Sequence, residues 1–257
     1  MVTAAAGAPI LEVSAVDKRF GGMHALRDLS FGLEAGKVTA LIGPNGAGKT
    51  TAFNVMSGFL RPDRGAVCYR GQPIHALPPH RIVRLGIGRS FQDVRVFGRL
   101  TALQNVMVAC QDQPNESPLR ALVGGGGGTH EQRNRARGLE CLAFVGLAAQ
   151  ADELADSLSY GQQKRLTIAR LLAAGCEVLL LDEPASGLDP GAVEGLLELI
   201  RRLAADGRTI CLIEHNRDAV AAVSDRVVFL DQGHAVAEGD CATIMADPRL
   251  AERYLGV

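Results

Sequence analysis

One short segment combines residue types that suit phosphate chemistry. Residues 43–50 read GPNGAGKT and fit the pattern G-x-x-x-x-G-K-[ST], between a predicted strand at 37–42 and a predicted helix at 51–56. Glycines let backbone N–H groups turn around phosphate oxygens, and the helix N-terminus adds partial positive charge there. Lys49 supplies a point charge for the β- and γ-phosphates, and the Thr50 hydroxyl suits Mg²⁺. The pattern predicts a nucleoside triphosphate site formed by Gly43, Pro44, Asn45, Gly46, Ala47, Gly48, Lys49, Thr50 and Thr51.

An acidic pair follows a second apolar run. Residues 178–184 read VLLLDEP, in which four apolar residues predict a buried strand that Pro184 ends. Asp182 lies at the carboxyl end of that strand, where α/β sheets bind ligands, and we assign it to Mg²⁺. Side chains alternate along a strand, so Glu183 is expected to point elsewhere and to accept the proton of the attacking water. An exposed acidic turn is the alternative interpretation.

A histidine follows the next predicted strand. Residues 210–215 read ICLIEH, which brings His215 to the same edge of the sheet as the acidic pair. We therefore predict a hydrogen bond from His215 to the γ-phosphate, with a purely structural histidine as the alternative. The other five histidines stand in polar or turn contexts and are assigned no role: His24, His75, His80, His130 and His234.

Alternating strands and helices must position these residues. Strands are predicted at 37–42, 178–182, 208–213 and 225–230, with a helix capped by Asp189 between the second and the third. This alternation is typical of a parallel sheet covered by helices. Shorter strands at 10–16, 29–33 and 65–70 predict a small antiparallel sheet near the N-terminus.

Composition excludes several classes of protein. The 257 residues include 47% hydrophobic and 21% charged residues, which is enough to bury a core, and the net charge of −1 gives no support for nucleic-acid binding. The apolar runs are too short for a membrane helix, and residues 1–9 lack a secretory signal, so we expect a cytoplasmic chain. The six cysteines are widely spaced, which argues against a zinc site.

A helical region lies between the two halves of the site. Residues 100–109 place Leu103, Val106 and Met107 on one helical face, and residues 131–147 form a second helical pattern. Between them, five consecutive glycines at 124–128 predict a flexible loop.

A further stretch, LSYGQQ at residues 158–163, precedes an amphipathic segment at 164–174. Ser159 and the amide of Gly161 are expected at the N-terminus of that helix, which suits either an anion or simple capping. With the phosphate segment, the pair Asp182 and Glu183, and His215 in this order, the chain closely resembles the ATP-binding cassette (ABC) ATPases over residues 11–256.

The resemblance implies an α/β fold. It consists of a RecA-like P-loop core with a parallel sheet, an N-terminal antiparallel β subdomain and an inserted α-helical subdomain. Residues 1–257 then form one ABC ATPase domain, with the helical subdomain at about 93–174. The resemblance also implies a head-to-tail pair with a second ABC ATPase subunit, either another copy or a paralogue. Each ATP then lies between the phosphate segment of one subunit and Ser159, Gly161 and Gln162 of the other.

Further roles are carried over from the family by position. Phe20 matches the aromatic residue that stacks on adenine. Gln92 matches the glutamine that contacts Mg²⁺ and links the site to the helical subdomain. With Glu183 and His215, Gln92 completes the expected catalytic set. Residues 186–189 match a loop that communicates across the dimer, which gives Asp189 a second role beside its helix cap.

Several motifs resemble those of the ATPase subunits of bacterial branched-chain amino acid importers: FGG at 20–22, RLGIGRSFQ at 84–92, the tyrosine within 158–163 and YLG at 254–256. This subgroup implies integral membrane permease subunits, an extracytoplasmic substrate-binding protein as an indirect partner, and a peripheral location on the cytoplasmic face of the inner membrane. Asn216 and Arg217 depart from the acidic residue and methionine that are common there, and the glycine run replaces a charged helical stretch. The alternatives are lipopolysaccharide export, uptake of urea or other small polar solutes, and a soluble ABC ATPase of DNA repair or translation.

An apolar group follows Gln92. It consists of Val94, Val96, Phe97 and Leu100. Such a group beside a catalytic loop predicts a docking surface for the membrane partner, with burial in the chain's own core as the alternative.

Overall fold

The protein is described here by a computed structural model covering residues 8–110 and 127–247. Its strands are β1 (Leu11–Phe20), β2 (Met23–Leu33), β3 (Val38–Ile42), β4 (Arg64–Tyr69), β5 (Gln72–Pro73), β6 (Ile87–Arg89), β7 (Val178–Asp182), β8 (Thr209–Ile213), β9 (Arg226–Asp231) and β10 (His234–Asp240). Its helices are α1 (Lys49–Met56), α2 (Pro79–Leu85), α3 (Ala102–Ala109), α4 (Gly127–Phe144), α5 (Tyr160–Ala173), α6 (Pro190–Ala205), α7 (Arg217–Val223) and α8 (Cys241–Met245). Two single 3₁₀ turns, Ala148–Gln150 and Ala155–Ser157, precede α5.

The larger sheet carries the site. Its strand order is β10-β9-β3-β8-β7-β6, and only β10 runs antiparallel to its neighbour. Every residue of β3, β7 and β8 is buried, which explains why these strands read as continuous apolar runs. The predicted parallel sheet is confirmed. Strand β6 was not predicted, because three residues reading Ile-Gly-Arg show no period.

The two faces of this sheet bury different layers. Leu179 and Leu181 pack in one cluster with residues of the helices, including Ile168 of α5 and Leu196 of α6. Val178 and Leu180 face the other way, into a cluster with α1 and the smaller sheet. Alternate side chains of one strand therefore join both layers, and the carboxyl ends of the parallel strands are left to form the site.

The smaller sheet is antiparallel, with strand order β2-β1-β4-β5, as predicted. Strands β1 and β2 are longer than predicted, because the turn at Gly21 and Gly22 closes them into one hairpin in which Phe20 pairs with Met23. This hairpin extends the sheet towards the phosphate segment.

Helices α3, α4 and α5 pack against one another beside the larger sheet. Leu103 and Val106 of α3 are buried with Leu142 of α4, as the predicted helical faces require, whereas Met107 is half-buried. The predicted glycine loop is wrong for Gly127 and Gly128, which form the first residues of α4. A helix start tolerates glycine because its first N–H groups have no partner within the helix. The other three glycines of the run, and the YLG motif at 254–256, lie outside the described residues.

Across residues 8–110 and 127–247, no helix combines the length and apolarity needed to cross a bilayer.

Candidate functional site

The phosphate segment connects β3 to α1 through glycines with positive φ. Gly43 has φ +146°, and a Cβ there would lie 2.0 Å from the carbonyl oxygen of Leu230. Gly48 has φ +106°, and its Cβ would lie 2.6 Å from the carbonyl oxygen of Ala25. Gly46, at φ +80°, faces open space. The segment is therefore packed on its protein side and open on the other, as a phosphate cradle requires.

The Lys49 side chain folds back towards the start of this segment. Its Nζ donates to the carbonyl oxygens of Gly43 at 2.8 Å and Pro44 at 2.9 Å, and the side chain is buried. Burial lowers the pKa of Lys49, and the carboxylates of Glu183 and Asp182 oppose that shift. The ammonium group is thus held where the segment curves, before any ligand arrives.

A cleft of about 450 Å³ opens beside the segment. Its predicted residues are Asn45, Gly46, Gly48, Lys49, Thr50, Thr51, Glu183 and His215, and its unpredicted ones are Met23, His24, Ala25, Arg27 and Gln232. His24, to which no role was assigned, lines the cleft because β2 carries it there, and its Nε2 lies 3.0 Å from Asp17 Oδ1. Ala47, within the segment, is buried, and its N–H donates to the carbonyl oxygen of Pro44.

Three predicted residues meet at one carboxylate. Glu183 Oε1 lies 2.9 Å from His215 Nε2, and Glu183 Oε2 accepts a 2.9 Å hydrogen bond from Gln92 Nε2. Glu183 lies one residue beyond β7, with φ +47°. Strand alternation was therefore the wrong reason for its separation from Asp182, because the backbone turns into the left-handed region at Glu183 itself.

Asp182 is buried and paired with a cation that was not predicted. Its Oδ2 accepts a 2.8 Å bond from Arg89 of β6, and each side chain is only 5% exposed. Arg89 also donates to Asn54 Oδ1 of α1. Three rings surround its guanidinium at 5.3 to 6.0 Å: Phe53, Phe59 and Phe91. A basic residue within an apolar stretch near Gln92 was the available signal, because a buried arginine requires a partner.

Ser159 caps α5. Its Oγ accepts from the Gln162 N–H at 3.3 Å, and Gln162 Oε1 accepts from the Ser159 N–H at 2.8 Å. Gly161 packs on α6, since a Cβ there would lie 3.3 Å from Ala192 Cβ. These three residues are not among those that line the cleft of their own chain.

Phe20 lies at the tip of the β1–β2 hairpin. Its ring is 42% exposed, Lys18 Nζ lies 5.7 Å from the ring centroid, and its strand partner Met23 lines the cleft. An exposed aromatic face next to the rim is available for stacking.

The segment after Gln92 is only partly buried. Val94, Val96 and Leu100 are half-buried, whereas Phe97 is 48% exposed with Arg170 over its ring at 5.2 Å. Complete burial in the chain's own core is therefore not observed for this group, and its docking role stays a prediction.

The donor chemistry fits Mg²⁺. Thr50 offers a hydroxyl in the cleft, Asp182 a carboxylate and Gln92 an amide oxygen, all of which are hard oxygen ligands. Within the described ranges no three His, Cys, Asp or Glu residues cluster as a metal site.

Comparison with known proteins decides the family. A sequence profile of the family described as "ABC transporter" matches residues 26–186, which include the phosphate segment, the stretch at 158–163 and the acidic pair. The chain belongs to the ABC transporter family. It is an ATP-binding cassette with the α/β fold of that family, and the family's ATPase activity is its activity.

Two curated relatives match this cassette over nearly its whole length. One is the high-affinity branched-chain amino acid transport ATP-binding protein BraF of Pseudomonas aeruginosa, 39% identical over 96% of this chain and 98% of the relative. The other is its counterpart LivG of Escherichia coli K12, 38% identical with the same coverage.

Solved cassettes are similar as well. An ATP-binding cassette of an ABC transporter in its ADP conformation has a TM-score of 0.83 at 32% identity, covering 96% of this chain and 99% of that one. A dimeric cassette in a post-hydrolysis state with ADP and Pi has a TM-score of 0.73 at 27% identity, with 90% and 98% covered.

Proposed function

We propose that this cassette is the ATP-hydrolysing subunit of an ABC importer that takes up branched-chain or other hydrophobic amino acids. The observation that carries the substrate class is the similarity to BraF and LivG, which extends over 98% of each relative. The motifs at 20–22 and 84–92 and the tyrosine at 160 support the same subgroup. Lipopolysaccharide export, uptake of small polar solutes and a soluble role have no comparable support.

Each side chain around the cleft has a role in this proposal. The phosphate segment and Lys49 bind the phosphates of ATP, and Phe20 stacks on the adenine. Glu183 accepts the proton of the attacking water, and His215 contacts the γ-phosphate while holding one oxygen of Glu183. Gln92 bonds the other oxygen, so the segment after residue 92 is linked directly to the proton acceptor.

Mg²⁺ would be held by Thr50, Asp182 and Gln92, and when bound it would neutralise charge on the β- and γ-phosphates. Arg89 fixes the direction of the Asp182 carboxylate, because the two side chains form a buried pair.

The position of Ser159 supports the assembly that we propose. A helix N-terminus attracts phosphate, and this one is absent from the cleft of its own chain, so Ser159, Gly161 and Gln162 are proposed to close the site of a second cassette. The dimeric relative supports such a pair.

The helical subdomain, at about residues 93–174, is proposed to be part of a single ATPase domain. Through Phe97 and its neighbours, that subdomain docks on permease subunits at the cytoplasmic face of the membrane. These permease subunits receive amino acids from a substrate-binding protein.

The hydrolytic role is tested by Glu183→Gln. The amide cannot accept the water proton, so ATP turnover should fall by at least about 100-fold while ATP affinity stays within about twofold. Lys49→Ala should instead lower the ATP affinity itself, as measured by calorimetry. Normal turnover by Glu183→Gln would rule out this residue as the proton acceptor.

The transport role needs the assembled complex. Pull-down of the tagged cassette from solubilised membranes should recover integral membrane subunits. Proteoliposomes of the complex with its binding protein should then accumulate labelled leucine in an ATP-dependent manner, and not urea. Recovery of the cassette without any membrane partner would favour the soluble alternative.

A further inference from the structure

Lys164 is a buried cation close to the catalytic carboxylate. It lies in the second turn of α5, is 7% exposed, and its Nζ donates to the backbone carbonyl oxygen of Glu183 at 2.8 Å. Burial lowers its pKa, whereas the nearby carboxylates of Glu214 and Glu183 raise it. None of the roles proposed above uses this side chain.

The backbone that Lys164 contacts adopts a disfavoured conformation. Glu183 has φ +47°, in the left-handed region that residues other than glycine rarely occupy. Neighbouring groups hold the same segment from its other side. The Glu183 N–H donates to Ile213 at 3.0 Å, and the Ala185 N–H donates to Glu214 Oε1 at 2.8 Å. The conformation persists because hydrogen bonds hold it on each side.

Helix α5 makes a second contact with the same loop through Tyr160. The Tyr160 ring covers Gly187, where a Cβ would lie 3.2 Å from Tyr160 Cε1. On the same helix, Lys164 Nζ lies 5.2 Å from the centroid of that ring. The first two turns of α5 therefore hold residues 183–187 through one hydrogen bond and one aromatic contact.

We propose that Lys164 is a positioning residue for ATP hydrolysis. By holding the carbonyl of Glu183, it keeps the backbone in the turn that directs the carboxylate towards His215 and Gln92. This inference rests on the proposed role of Glu183 as proton acceptor. It makes the orientation of that carboxylate depend on the helix that begins at Ser159.

The test compares Lys164→Met, Lys164→Arg and Arg165→Met in the full-length chain. Arg165 is the matched control, since it is a half-buried cation on the same helix. Its side chain points to α6, where its Nη2 lies 2.2 Å from the position that a Cβ on Gly195 would take. Lys164→Met should lower kcat by about tenfold or more with ATP affinity within about twofold, because it removes an interaction that orients Glu183 without touching the phosphate segment. Lys164→Arg should restore most of kcat, and Arg165→Met should leave it unchanged.

A double variant separates positioning from general destabilisation. If Lys164 acts through Glu183, adding Lys164→Met to Glu183→Gln should lower the residual turnover by less than about twofold. An equal loss in both backgrounds, or a parallel loss of ATP affinity in Lys164→Met, would overturn the proposal. If Lys164→Met does not fold, Lys164→Gln replaces it, with the same expectation of lowered kcat and unchanged affinity.

Failure of this inference differs from failure of the proposed function. Full turnover by Glu183→Gln alone would remove the proposed proton acceptor. Full turnover by Lys164→Met beside an inactive Glu183→Gln would remove only the positioning role.

Discussion

Each oxygen of the Glu183 carboxylate has a partner from a different strand end. His215 follows β8, and Gln92 follows β6. The carboxylate therefore has a defined direction, which a proton acceptor needs in order to meet its water. Asp182, one residue earlier, is directed by Arg89 instead. The two neighbouring acidic residues thus have different hydrogen-bond partners, as the different roles proposed for them require.

Cys176 lies between α5 and β7 and is buried. Burial raises the pKa of its thiol from 9.0 to about 12. Between these values the unfolded chain loses a proton that the folded chain keeps, so rising pH favours unfolding. From pH 8 to pH 10 the contribution of Cys176 to stability should fall by about 1.4 kcal/mol.

The measurement is urea unfolding of the wild type and Cys176→Ala at both pH values. The difference in unfolding free energy between the two chains isolates the contribution of the Cys176 thiol, because all other titratable groups are common to both chains. Parallel pH dependences would contradict the expectation.

Among the elements, α3 organises the segment that connects Gln92 to the helices. Asn105 is fully buried, and its Nδ2 donates to the carbonyl oxygens of Phe97, Leu100 and Thr101 at 3.0 to 3.3 Å. Its Oδ1 accepts from the Phe97 N–H at 2.8 Å. Each of these three carbonyl oxygens also accepts a backbone N–H, so Asn105 gives them a second donor and supplies the acceptor for the Phe97 N–H.

Asn105→Ala should consequently loosen this segment. We expect the unfolding free energy to fall by about 2 kcal/mol, because the Phe97 N–H loses its acceptor and three carbonyl oxygens lose a second donor. Amide hydrogen exchange across residues 94–101 should accelerate, while ATP affinity stays unchanged. Val108→Ala, on the exposed side of the same helix, is the control and should shift stability by less than about 0.5 kcal/mol. Unaltered exchange in Asn105→Ala would assign the order of this segment to other contacts.

At the scale of the whole molecule, the proposed head-to-tail pair would join two separate surfaces of the cassette. The cleft carries the phosphate segment, and the N-terminus of α5 carries a capped helix end outside that cleft. A head-to-tail pair brings these two surfaces together, so ATP should hold two subunits in contact for as long as it is not hydrolysed.

Glu183→Gln should therefore elute as a dimer of the 27.1 kDa chain when ATP is present and as a monomer without it. Adding Ser159→Asp should prevent dimerisation, because aspartate still caps the helix but repels phosphate. Equal melting temperatures for the single and double variants provide the folding control. A chain that binds ATP and yet stays monomeric would indicate a paralogue as its partner.

The sequence by itself determined the parts of this protein that depend on neighbouring residues. The phosphate segment directly follows β3, the acidic pair begins at the last residue of β7, and His215 lies two residues beyond β8. The glycine pattern and the short apolar runs along the chain were enough to predict these residues and the strands before them. The tertiary structure alone decided the contacts between distant positions, namely Arg89 with Asp182, Lys164 with Glu183, and His24 at the rim of the cleft. These contacts depend on how β6 pairs with β7 and how α5 and β2 pack on the sheet, and long-range packing leaves no periodic pattern in the chain.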